Sequence, residues 1–170
     1  MKPTNLRNNR IKNVLASVAI TLSIFTLAAC TGGVPVKPDF DIALQKHFAA
    51  ISNRDIEAFK SHLTKGETLY TIVQNGHAFT TPSETIAIHE QWFKDKNWVW
   101  EGSVVHKVVG EDVAMALVKY QYRAKQEDAP IVTWLTYVFQ LQDGQWRIVH
   151  DQNTALDFAA FARMAGIEIK

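Results

Sequence analysis

Four β-rich segments, separated by breaks too short for a crossover, dominate the second half of the chain and narrow its fold most. They span residues 97–109, 113–125, 131–142 and 145–152, and the breaks are Gly110-Glu111-Asp112, residues 126–130 and Asp143-Gly144. A parallel connection needs a dozen or more residues, so these segments must be antiparallel neighbours. Asp143-Gly144 suits a two-residue type I′ turn. Strict alternation from that turn sets Gln142 opposite Gln145, Leu141 opposite Trp146, Phe139 opposite Ile148 and Tyr137 opposite His150. One face then carries Leu135, Tyr137, Phe139, Leu141, Trp146, Ile148 and His150, and should cover a core. The other carries Trp134, Thr136, Val138, Gln140, Arg147, Val149 and Asp151, and should meet solvent or a partner subunit.

The part before this meander has helical spacing. Asp39 suits a helix cap, and Phe40, Ala43, Leu44, His47, Phe48 and Ile51 fall on one stripe. Asp55 suits a second cap, with Ile56, Phe59 and Leu63 as the stripe and Lys65-Gly66 as the stop. Residues 67–73 alternate as a strand, Asn75-Gly76 marks a turn, and Ser83 is the expected cap of a third helix carrying Ile86, Glu90 and Phe93. Residues 155–166 are alanine-rich and read as a helical tail. The fold class expected is α+β, with N-terminal helices packed on one side of a curved antiparallel sheet.

The first 29 residues have a separate logic. Lys2, Arg7, Arg10 and Lys12 precede an apolar run at 14–25, which ends in Leu27-Ala28-Ala29-Cys30. A basic, apolar, small-residue order is that of a signal peptide. The run is shorter than the roughly 20 residues a membrane span needs. Cys30 is the only cysteine, so it has no disulfide partner. The four residues to Cys30 resemble the bacterial lipobox, which implies lipidation at Cys30 and cleavage before it. Thr31, rather than Asp, follows the cysteine, which by the sorting rule of such lipoproteins resembles, in a cell that has an outer membrane, an address on that membrane facing the periplasm. The expected organisation is a signal peptide at 1–29, a lipidated Gly/Pro tether at 30–38, a domain at 39–154 and a helical tail at 155–170. Beyond the signal peptide, 14 basic residues stand against 17 acidic ones, a formal charge of −3. No basic stripe suggests nucleic acid.

Three pieces carry a wider likeness: residues 48–59 (FAAISNRDIEAF), Gly110-Glu111-Asp112-Val113-Ala114, and Asp143-Gly144-Gln145-Trp146-Arg147-Ile148-Val149-His150. In that order and spacing, residues 39–154 resemble the nuclear transport factor 2-like superfamily, in particular its SnoaL-like branch and the calmodulin-dependent kinase association domain. The resemblance implies a cone, a cystatin-like roll in which a bent sheet wraps helices and leaves a pocket at its open end. It also implies a homodimer through the convex sheet face. The superfamily holds isomerases, dehydratases, cyclases, epoxide hydrolases and assembly domains, so fold does not give activity. Trp134 stands where relatives often carry an arginine, which would favour anionic ligands, and Gln152 where they often carry a second histidine; both departures weaken the transfer of that chemistry.

His150 is the leading candidate for chemistry, since histidine titrates near neutral pH and Tyr137 is its expected neighbour. Asp151, next in sequence, is expected on the opposite face as a surface or interface acid. The candidate pocket is therefore Tyr137, His150, Leu135, Gln152 and Trp100, with Trp92, Trp98 and Phe93 nearby as core or pocket wall. His47, His62, His77, His89 and His106 show no paired ligand spacing, so no metal is expected, and no cofactor is implied. The reading that follows is a membrane-tethered, pocket-bearing module that binds a small apolar molecule or a partner protein without catalysis. The alternative is an isomerase, dehydratase or cyclase using His150 for proton transfer.

Overall fold

A computed structural model describes residues 37–154. Cys30, the tether up to residue 36 and the tail at 155–170 lie outside the described residues. Every described element falls in the compact unit Pro35–Lys170. Its order is α1 (Phe40–Ser52), α2 (Ile56–Ser61), β1 (Tyr70–Ile72), β2 (Ala78–Phe79), α3 (Pro82–Trp92), β3 (Val99–Val109), β4 (Val113–Arg123), β5 (Ile131–Gln142) and β6 (Gln145–Asn153).

The helices start where the sequence places caps, with one exception. Asp39 accepts the amides of Asp41 and Ile42, and Asp55 accepts that of Ala58. For α3 the cap is Thr81, not Ser83. Thr81 and Glu84 form a reciprocal capping box around Pro82, which satisfies two free amides at once and leaves Ser83 inside the helix. Glu90 sits outside the core, where it pairs with Lys60.

The six strands form one sheet in the order β2-β1-β6-β5-β4-β3. β3 to β6 are an antiparallel meander, as the short breaks require. The short β1 adds a parallel partner to β6, and β2 closes that edge as a hairpin around Gly76, which has φ 83°. The inner face presents Ala114, Ala116 and Val118 of β4, Leu135, Tyr137 and Phe139 of β5, and Trp146 and Ile148 of β6. Against these pack Phe40, Leu44, Phe48 and Ile51 of α1 with Phe59 of α2. Trp146 donates its indole N–H to the Pro38 carbonyl, so the domain's edge begins one residue before the cap.

The β5–β6 hairpin follows strict alternation only for its first half. Asp143 (φ 51°) and Gly144 (φ 71°) make the type I′ turn, and the pairs Gln142–Gln145, Leu141–Trp146 and Phe139–Ile148 form. The register then shifts: Val138 pairs with His150 and Tyr137 with Asp151, so Val149 is a bulged extra residue. The shift falls where β6 changes its other neighbour. Ile148 bonds to His62 and Thr64, whereas His150 onward pairs with β1. One inserted residue reverses the facing of all that follows it.

Candidate functional site

A cavity of about 440 Å³ lies between β1, α3 and β3 to β6. Period-two alternation supplies its walls: Tyr120 and Tyr122 from β4, Thr133, Leu135 and Tyr137 from β5, and Asp151 and Asn153 from β6. Trp100 of β3 and Trp92 and His89 of α3 close the sides. Of the residues expected to form the pocket, Tyr137, Leu135 and Trp100 line this cavity. His150 and Gln152 do not. The Val149 bulge turns them to the outer face, where the His150 Nε2 lies 3.3 Å from the Gln152 side-chain oxygen. The same bulge brings Asp151 inside, reversing its expected place on the surface. The histidine that meets Tyr137 is His47 of α1, its ring edge-on at 4.9 Å.

Asp151 is buried, and burial pushes its carboxyl up to about 7 from the ordinary 3.8. Asn153 holds it by donating from Nδ2 to Asp151 Oδ1 at 3.2 Å and to the Ile72 carbonyl at 3.2 Å. The Asn153 oxygen accepts the Tyr120 hydroxyl at 2.9 Å, and Gln74 donates to that hydroxyl in turn. A polar chain therefore runs Gln74–Tyr120–Asn153–Asp151 along one wall. Burial raises Tyr120 to about 12 and Tyr137 well above the ordinary phenol range, so both remain protonated. His89 is lowered to about 4 by burial, partly opposed by its Nδ1 bond to the Thr85 carbonyl at 2.8 Å. It is a neutral ring stacked on Phe59 at 4.1 Å.

The wall thus combines aromatic faces, one carboxylate and a few amide and hydroxyl groups, and among the described residues it contains no Lys or Arg. All four members of the polar chain, Asp151, Asn153, Tyr120 and Gln74, were missed by sequence reasoning. Tyr120 was within reach, because it shares the alternation of Val118 and Tyr122. Asp151 and Asn153 were not, because nothing in Ile148-Val149-His150 marks a bulge.

The SnoaL-like domain family matches residues 42–155 of this sequence. The chain belongs to the SnoaL-like family. No curated protein matches it. Solved structures share the SnoaL-like fold at low identity. One is a protein from Thiobacillus denitrificans assigned as a calcium/calmodulin-dependent protein kinase type II association domain; it is 18% identical with a TM-score of 0.63, over 71% of this chain and 98% of that one. Another, from Streptomyces avermitilis, is assigned as a dehydratase of the NTF2-like family, at 12% identity and TM-score 0.58 over 68% and 92% of the two chains. A third, from Shewanella frigidimarina, is assigned as a ketosteroid isomerase, at 16% identity and TM-score 0.57 over 66% and 92%. At these identities the likeness establishes the α+β roll of this SnoaL-like chain, with its curved six-stranded sheet.

Proposed function

We propose that this chain is a membrane-tethered envelope lipoprotein whose SnoaL-like domain binds a small, largely apolar molecule in the cavity, with Asp151 as the polar anchor. The observation that carries this reading is one buried carboxylate set in an aromatic-walled space of about 440 Å³. That volume lies in the range of small-molecule pockets, and few polar groups among many apolar ones is their usual make-up. Occupancy stabilises the folded state by mass action, about 2.7 kcal/mol at a hundredfold excess over Kd. A thermal-shift screen of small aromatic molecules against the Pro35–Lys170 unit should therefore find hits. Ile88→Trp, which fills the cavity from α3, should lose them; hits that survive this change would place binding elsewhere.

The tether rests on Leu27-Ala28-Ala29-Cys30. Mass spectrometry of the mature N-terminus should show an acylated Cys30, and Cys30→Ala should release the protein from the membrane. The outer sheet face, with exposed Val108, Val113, Val132 and Trp134, supports a homodimer through that surface.

Asp151 also favours a second reading, proton transfer. A carboxyl poised near 7 suits a general acid or base, with Tyr137 as hydroxyl donor to a developing oxyanion. His150 leaves this role because it faces away from the cavity. On any substrate found, Asp151→Asn should cost about a hundredfold or more in kcat, while His150→Ala should not.

A further inference from the structure

Building on the pocket reading above, we propose that the molecule bound in this cavity is an organic monocation, a hydrophobic amine or quaternary ammonium, with its charged head between Asp151 and the aromatic wall.

The charge inventory carries this first. Asp151 is the only carboxylate among the described lining residues, and none of them is Lys or Arg. Its one hydrogen bond from a side chain comes from the neutral amide of Asn153. A buried carboxylate without a counter-charge is costly, and the cost falls when it takes a proton or when a cation arrives beside it. An anionic ligand would meet Asp151 with no positive group in the wall to offset it. A neutral apolar ligand would leave a proton as the carboxylate's only relief, whereas a cation relieves the ionised form itself.

The wall supplies the second, independent observation. Trp92, Trp100, Tyr120, Tyr122 and Tyr137 all contribute to the cavity. The faces of such rings are electron-rich and attract ammonium groups, most strongly when water is excluded. The polar tip of Tyr120 is already committed to Asn153 and Gln74, so its hydroxyl is not free to pair with a ligand, while its ring, stacked on Trp100, belongs to the aromatic wall. The pairing of aromatic faces with a single acid is the chemistry that separates a trimethylammonium group from a tert-butyl group of the same shape.

Binding of a cation requires the ionised form of Asp151. The titratable groups around it do not compete: Tyr137 on β5 and Tyr120 on β4 stay protonated, and His89 on α3 and His47 on α1, which abuts Tyr137, are neutral rings. Affinity should therefore rise with pH through the Asp151 titration and level off above it.

The probes are phenyltrimethylammonium, its neutral isostere tert-butylbenzene, and the anion 4-tert-butylbenzoate, titrated against the Pro35–Lys170 unit with tryptophan fluorescence as readout. The cation should bind about tenfold or more tighter than the isostere, and about tenfold tighter at pH 8 than at pH 6. Asp151→Asn, with unchanged circular dichroism, should collapse the preference for the cation. Trp92→Leu should reduce it while leaving Asp151 in place. Equal or tighter binding of the neutral or anionic probe overturns the cation assignment and leaves the pocket standing. Failure of all three probes to bind overturns both.

Discussion

Tyr137 of β5 lies opposite Asp151 of β6, not His150, because Val149 is bulged out of the strand between Ile148 and His150. That one residue decides which of two adjacent titratable side chains enters the cavity. It puts the imidazole on the outer face and the carboxylate inside, where burial pushes the carboxyl up to about 7.

Asp151 should make stability fall as pH rises. Its carboxyl is raised to about 7 in the folded protein against 3.8 for the ordinary group, so the folded state holds the proton more tightly than the unfolded one. Its contribution is complete below the unfolded value, is lost progressively from about 4 to 7, and is constant above, with a ceiling of about 4 kcal/mol by linkage. Denaturant unfolding of wild type and Asp151→Asn at several pH values checks this. The gap between the two curves should move in favour of the variant by a few kcal/mol across that window; a pH-independent gap would contradict the burial of Asp151.

His47 should act in the opposite sense. Both of its ring nitrogens are buried without a hydrogen-bond partner, among Phe59, His62 and Tyr137. Burial, then the nearby His62 and His89, hold it well below 6.5, so its contribution is present above the unfolded value and lost as pH falls beneath it. His47→Leu should gain about 1–3 kcal/mol by removing unpaired polar atoms from the core, and should soften the loss of stability in acid. A measured loss at neutral pH would mean that those nitrogens have partners.

Gly102 sits under the indole of Trp100. A Cβ built there comes within 2.4 Å of that ring, which is packed between Phe48 and Tyr120. Gly102→Ala should cost about 1–3 kcal/mol through overpacking, and should weaken any ligand by moving a cavity wall. Thermal unfolding and probe affinity measured on the same protein check both effects.

Trp134 stands on the outer face with Lys119 over its ring. If that face pairs two copies, Trp134→Glu should raise the dimer dissociation constant about thirtyfold or more, as for an aromatic interface anchor. Light scattering on the Pro35–Lys170 unit reads this directly, and a monomeric wild type would remove the dimer.

The sequence made the architecture legible where local rules act alone. Asp143-Gly144 specified its turn, the breaks at 110–112 and 126–130 forced an antiparallel meander, and the stripe from Phe40 to Ile51 marked the face of α1 that is buried. It failed where tertiary contacts intervene. The strand expected at 67–73 shrank to Tyr70–Ile72, because only that stretch reaches β6, and its two-residue hairpin return, β2, was not foreseen. The Val149 bulge coincides with the change of β6's neighbour from the Leu63 bridge to β1, a long-range event without a local signature. Tyr137, Leu135 and Trp100 were placed by alternation or by their aromatic character. Asp151 and Asn153 lay beyond the bulge, where alternation gives the wrong face.

The most direct measurement is a carbon-detected NMR titration of the Asp151 carboxyl, assigned by comparison with Asp151→Asn. A midpoint near pH 7, shifted downward by a bound ammonium probe, is the result expected of a carboxylate inside the cavity. A midpoint near 4 that ignores the probe would put Asp151 in water, and with it the register of β6 and the site built on it would be wrong.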